Sequence, residues 1–127
     1  MSNDSPQPEP IPLDEIMRRM QESEQFTAVV LASADGLPIA TAPAGYDSDL
    51  AAALVAVLRK VSGEAQSQLG LAEIDEVVVR SRDRVSLVCR RLDVGTEELL
   101  LVAIIPPGRR YRRATNQAIA EIKRALI

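Results

Sequence analysis

Apolar and polar positions recur along this chain with two periods, and the switches between them divide it into elements. Leu13, Ile16, Met17 and Met20 repeat at i, i+3, i+4 and i+7. That spacing predicts a short helix over about 12–24, with Pro12 at its first position. Phe26 to Ser33 is mostly apolar and too short for an independent helix, so it reads as a buried strand. Asp35-Gly36 predicts a tight hairpin turn, because both residues tolerate the positive φ that such turns need. Leu37 to Ala42 is the return strand. Pro38 has no N–H to donate, which places this strand at a sheet edge.

The helical period returns beyond Pro43–Gly45. Asp47 is the expected N-cap, and Asp49 sits in the first turn where the helix dipole favours an anion. The helix runs to about Leu69, ends at Gly70 and is roughly 34 Å long. Leu50, Leu54, Leu58, Val61 and Ala65 form its expected core stripe. A second sector holds Ala52, Val55 and Ala56 beside Arg59, Gly63 and Gln66, so the apolar arc is wider than one core contact needs. Small residues there suit the close approach of another helix. Ala52, Val55, Ala56 and Arg59 are therefore candidate partner-binding residues, against the plainer reading of ordinary helix-forming alanine.

From Glu73 the period is that of strands. Ile74 to Arg82 is one, Asp83 a tight connection and Arg84 to Leu92 the next. Val85, Leu87 and Cys89 alternate with Ser86, Val88 and Arg90, which makes Cys89 a small core residue. Val94-Gly95-Thr96 is a turn. Glu98 to Ile105 is almost wholly apolar, the pattern of a strand buried on both faces in the middle of a sheet. Pro106-Pro107-Gly108 ends it. The last helix runs from about Arg110 to the C-terminus, with Tyr111, Thr115, Ala118, Ile119, Ile122 and Leu126 on one face. Residues 1–11, with Pro6, Pro8 and Pro10 among polar neighbours, read as a disordered or extended tail before a single domain over 12–127. The order is helix, two strands, long helix, three strands, helix: an α+β pattern with two antiparallel meanders.

Composition narrows the chemistry. With 127 residues, 46% of them apolar, the chain suffices for one domain with a core. No run is long and apolar enough for a transmembrane helix, and the N-terminus lacks the pattern of a signal peptide, so the expected location is cytoplasmic. The absence of histidine removes His-dependent nucleophiles and His-based zinc sites. A single cysteine excludes an internal disulfide and a Cys-rich metal site. Net charge −3 and 2% aromatics argue against nucleic-acid binding. Neither a P-loop nor a G-x-G-x-x-G motif occurs, so no nucleotide or other cofactor is expected. Asp75 and Glu76, like Glu97 and Glu98, are neighbours on strands and point to opposite faces, which argues against a shared acid–base site. The chain reads as a binding or scaffolding domain and not as an enzyme.

Thirteen of its fifteen basic residues are Arg. Genomic base composition is the bland cause; bidentate pairing at interfaces is the functional one. Arg109, Arg110, Arg112 and Arg113 crowd the start of the last helix, where the dipole disfavours cations. They are either a solvated charge run or a docking patch for an acidic partner or anionic ligand.

The strand–turn–strand text VVLASADGLPIATA, followed by the acidic-capped, Ala-rich helix DSDLAAALVAVLRKVSGEAQSQL, resembles the Roadblock family of dynein light-chain type, which includes the bacterial MglB-like regulators. The S-x-D-G-x-P-I-A hairpin, Ser33 to Ala40, is the strongest local mark, and the likeness covers about 13–127. The arginine-rich helix start is not a mark of the family. The resemblance implies a five-stranded antiparallel sheet with the long helix on one face and the terminal helices on the other, a layered fold of Roadblock/profilin type. It also implies a homodimer or a heterodimer with a paralogue, no catalysis by the chain alone, and binding to a small Ras-like GTPase of the P-loop class. The alternative is a structural or sensor homodimer that anchors another protein or binds a small ligand. The expected dimer interface is the strand carrying Glu76, Val77, Val78, Val79 and Arg80. Antiparallel pairing about a two-fold at Val78 sets Glu76 opposite Arg80 and Val77 opposite Val79.

Overall fold

The structure, a computed structural model, describes residues 11–126. Its elements follow the order α1 (Leu13–Glu24), β1 (Ala28–Ser33), β2 (Pro38–Ala42), α2 (Ser48–Leu69), β3 (Glu76–Arg80), β4 (Ser86–Val94), β5 (Glu97–Ile105) and α3 (Arg112–Ala125). Every expected element is present, with ends moved by a few residues. The tail expected over 1–11 lies outside the described residues except for Ile11, which packs against the core.

The five strands form one antiparallel sheet in the order β2-β1-β5-β4-β3. The apolar strand β5 lies in the middle, between β1 and β4, and Leu99, Leu100, Leu101 and Val102 are buried in succession. Pro38 stands in edge strand β2, as a residue without an N–H requires. Two cores sandwich the sheet. On one face Ile16, Met17 and Met20 of α1 and Ala118 and Ile122 of α3 pack on Val29, Leu31, Leu101 and Ala103. On the other, Ala51, Val55 and Leu58 of α2 pack on Val30, Ala32, Leu100 and Val102.

Helix α2 begins where expected. The Asp47 carboxylate accepts from the N–H groups of Asp49 and Leu50, at 2.9 and 3.2 Å, and Gly70 closes the helix in the left-handed conformation. Its core face is not the expected one. Val55, assigned to the partner sector, is 0% exposed and Ala51 is fully buried, whereas Leu50 and Val61 of the expected core stripe are exposed. Only Leu58 is common to the expected and observed core faces. At 100° per residue the helix is rotated by about a quarter turn from the expected orientation. Ala51, the smallest of the three helix contacts, lets α2 lie close on a mixed apolar face of Val30, Ala32, Cys89, Leu100 and Val102.

The first hairpin also departs from expectation. Ser33 N–H donates to Leu37 O and Gly36 N–H to Ser33 O, both at 2.9 Å. This is a three-residue loop, with Gly36 alone supplying positive φ (+89°). The β3–β4 connection repeats it. Ser81 N–H donates to Val85 O and Arg84 N–H to Ser81 O, both at 3.0 Å, and here an arginine takes the left-handed position, φ +74°.

Candidate interaction surface

Among the described residues, strand β3 pairs only with β4, through Glu76↔Arg90, Val78↔Val88 and Arg80↔Ser86. Its other side carries unpaired backbone groups. Val78 and Val79 are 41% and 46% exposed. Strand alternation divides its side chains between the faces. Val77 packs with the α2-side core. Glu76 points to the α3 side, where Arg112 Nη2 lies 3.1 Å from its carboxylate. All five residues expected at the dimer interface thus lie in or beside one open edge. Two of them have partners already, because Arg80 Nε also donates to Ser86 Oγ at 3.1 Å.

On the α2 side, the flank of the helix that faces this edge carries Arg59, Ser62, Gly63 and Gln66, across a groove of about 270 Å³ from Glu73, Ile74 and Val77; an apolar stripe lies on the opposite flank. Leu50, Val57 and Val61 are exposed and Leu54 is half-buried. Their spacings of four, three and four residues set them in one stripe. The helix thus has two apolar faces, one on its own sheet and one bare. Of the sequence-derived partner residues, Ala56 and Arg59 are exposed, Ala52 is half-buried and Val55 is inside the core. Sequence reasoning found the width of the arc but misplaced Val55, which is core, and Leu50 and Val61, which are exposed.

The four arginines near α3 are not equivalent, and only Arg112 and Arg113 belong to the helix; Tyr111 is its N-cap residue. Arg109 donates to the Gln25 side chain at the end of α1. Arg112 pairs with Glu76 and lies over the Tyr111 ring, 5.5 Å from its centroid. Arg113 lines a groove of about 770 Å³ between α1 and α3, with Glu22, Glu24 and Glu121. Arg110 is exposed. The cluster is therefore half anchored and half free to meet a partner. Beneath β3, Cys89 is buried at 6% exposure, and burial, aided by the nearby Glu98 carboxylate, pushes its thiol up to about 11. Such a thiol is a core group and not a nucleophile. Among the described residues no group of His, Cys, Asp and Glu is placed to hold a metal ion, and no helix is long and apolar enough to cross a membrane.

The sequence model of the Roadblock/LC7 domain matches residues 12–103. No curated protein sequence matches the chain. Among solved structures, MglB of Myxococcus xanthus superposes with a TM-score of 0.69 at 19% identity, covering 88% of this chain and 92% of that one. The gliding protein MglB of Thermus thermophilus gives 0.69 at 17% identity, covering 90% and 87%. A Roadblock/LC7 domain of Streptomyces avermitilis gives 0.65 at 20% identity, covering 90% and 94%.

Proposed function

The chain belongs to the Roadblock/LC7 domain family, and from that membership we propose that it is a homodimeric, non-catalytic regulator or adaptor that binds a small Ras-like GTPase. The observation that carries the reading is the open edge of β3, which runs in regular register with β4 and exposes Val78 and Val79. An unpaired apolar edge is a template for another strand. Antiparallel pairing of two β3 strands about Val78 makes one continuous sheet from two copies. It sets Glu76 across from Arg80, and Val77 across from Val79 on the α2 side. Each such cross-strand pair contributes roughly 0.2–1 kcal/mol. On α2 the surface offered to the GTPase is the exposed part of the sector that holds Ala52, Ala56 and Arg59. A role in gliding, the setting named for the Thermus thermophilus protein, is the first to test, with cell polarity beside it.

The test has two parts. Sizing with light scattering should give a dimer, and the purified dimer should neither bind GTP nor release phosphate from it. Added to small P-loop GTPases from the same source, it should bind one of them and change its turnover or its retention on beads. A dimer that leaves every such GTPase unaffected would support the structural or sensor reading instead.

A further inference from the structure

The sheet registers sort the exposed charges by sign. Ser86 pairs with Ile105, so the β3–β4 turn and the β5–α3 link lie at the same end of the sheet. That end carries Arg82 and Arg84 from the turn, Arg109 and Arg110 from the link and Arg112 and Arg113 from the first turn of α3, all exposed. Asp47 and Asp49, which open α2 just after β2, share this end on the far side of the sheet, and Glu121 lines the groove with Arg113; nearer the β3–β4 turn the carboxylates are few. Asp83 is held below the usual carboxylate range by the Ser81 hydroxyl and the Val85 N–H, Glu76 is bound to Arg112, and Glu22 and Glu24 lie at the end of α1.

Val94 pairs with Glu97 and Ser33 with Leu99, so the β4–β5 and β1–β2 turns mark the opposite end. Asp93, Glu97 and Glu98 surround the first of these turns and Asp35 sits in the second. Glu73 and Asp75 precede β3 at the same end, tied there by Arg91. Its Nη1 lies 2.8 Å from Glu73, and its N–H donates to Asp75 O. Arg91 also lies 3.4 Å from Asp93 and 3.6 Å from Glu98, and the other cations at this end, among the described residues, are Lys123 and Arg124 of α3.

We propose that the arginine-bearing end of this chain binds the acidic end of a second copy, so that copies associate end to end. Charge complementarity selects the occupant, because one chain carries both halves of the match at opposite ends. The turn at the basic end supports it. Its sister turn in the β1–β2 hairpin uses Gly36 for the left-handed residue, whereas Arg84 holds φ +74° at a position where glycine is the unstrained choice. A guanidinium is kept there against local backbone preference. The contact uses neither β3 nor α2, so it is independent of the strand-paired dimer and of any GTPase. Exposed charges of this kind interact over about a Debye length, roughly 10 Å at 0.1 M salt, and the association is accordingly salt-dependent.

The experiment is sedimentation velocity on the full chain from 30 to 500 mM NaCl with two charge-reversed variants. One carries Arg82→Glu, Arg110→Glu and Arg113→Glu, sparing the anchored Arg109 and Arg112. The other carries Asp35→Lys, Asp75→Lys and Glu97→Lys. The unaltered chain should form species larger than its basic particle at low salt, with the apparent association constant falling about tenfold or more by 300 mM. Each variant alone has like charges at both ends and should lose the large species while keeping its circular dichroism spectrum. An equimolar mixture of the two should regain them. A salt-independent mass for the unaltered chain overturns the proposal. So does either variant still assembling alone, or folded variants that fail to assemble when mixed.

Discussion

The two edge strands, β2 and β3, leave the sheet through the same kind of turn, Ser33–Leu37 in one case and Ser81–Val85 in the other. The likeness stops there. Strand β2 begins with Pro38, which has no N–H, and its pairing with β1 slips between Leu31 and Ala32. Both features discourage a further strand from adding to that side. Strand β3 runs in regular register with β4 from Glu76 to Arg80 and presents Val78 and Val79 to solvent. The turns differ in the same direction: glycine where the backbone needs it at the closed edge, arginine in the left-handed region at the open one. One edge satisfies local rules and stays single. The other departs from them where a second molecule is expected.

The largest effect should come from closing the open edge. Val78→Pro removes the N–H at the proposed two-fold, and light scattering should then report monomer or aggregate; an unchanged dimer would remove β3 from the interface. The converse change, Pro38→Val, restores a donor on β2 and should yield species larger than the dimer that persist at high salt. If the oligomeric state does not change, Pro38 is not what keeps that edge single.

A third test uses the thiol one strand in from the open edge, since Cys89 pairs with Val77. The Cys89 thiol is raised to about 11 in the folded protein, whereas an unfolded thiol ionises near ~8.5. The folded state therefore holds the proton that the unfolded state releases. This contribution is intact below about pH 8.5 and is lost as pH rises toward 11, by roughly 3 kcal/mol. Urea titrations from pH 7 to 11 should show that loss, and Cys89→Ser should flatten it. Labelling of the thiol at pH 8 should be slow, and slower still at concentrations that favour the dimer. The smallest effects concern the two turns. Gly36→Ala should cost about 1 kcal/mol through its φ alone, because the added Cβ meets Val55 Cγ1 at an ordinary 3.8 Å. Arg84→Gly should stabilise the fold by about 1 kcal/mol. Equal responses at the two sites would remove the contrast between the turns.

Much of this was legible in the chain. The change from a 3.6-residue to a two-residue period located every element, Pro38 marked an edge, and the unbroken apolar run of β5 marked the centre. The orientation of α2 was not legible. Its sequence holds two apolar arcs, and periodicity alone does not say which faces its own sheet. Residue size suggested the leucine-rich arc, whereas Ala51 and Val55 are the residues that pack on the sheet beside Leu58. The ties of the arginines were hidden for a different reason. Arg112 reaches Glu76 across 36 positions, and Arg109 reaches Gln25 across 84. No local pattern records such distances. The sorting of charge between the two ends emerges only once the strand registers place the turns.

The open edge of β3 has a consequence for abundance. In the proposed dimer, folding and assembly share one equilibrium, so the melting temperature should climb with total concentration. Each tenfold dilution weakens the folded dimer by about 1.4 kcal/mol. A cell that makes little of this chain would keep a larger share of it with Val78 and Val79 in water, open to proteases and chaperones. Its copy number would then set its lifetime as well as its occupancy, and a partner that covered the same edge would protect the chain from turnover by binding it.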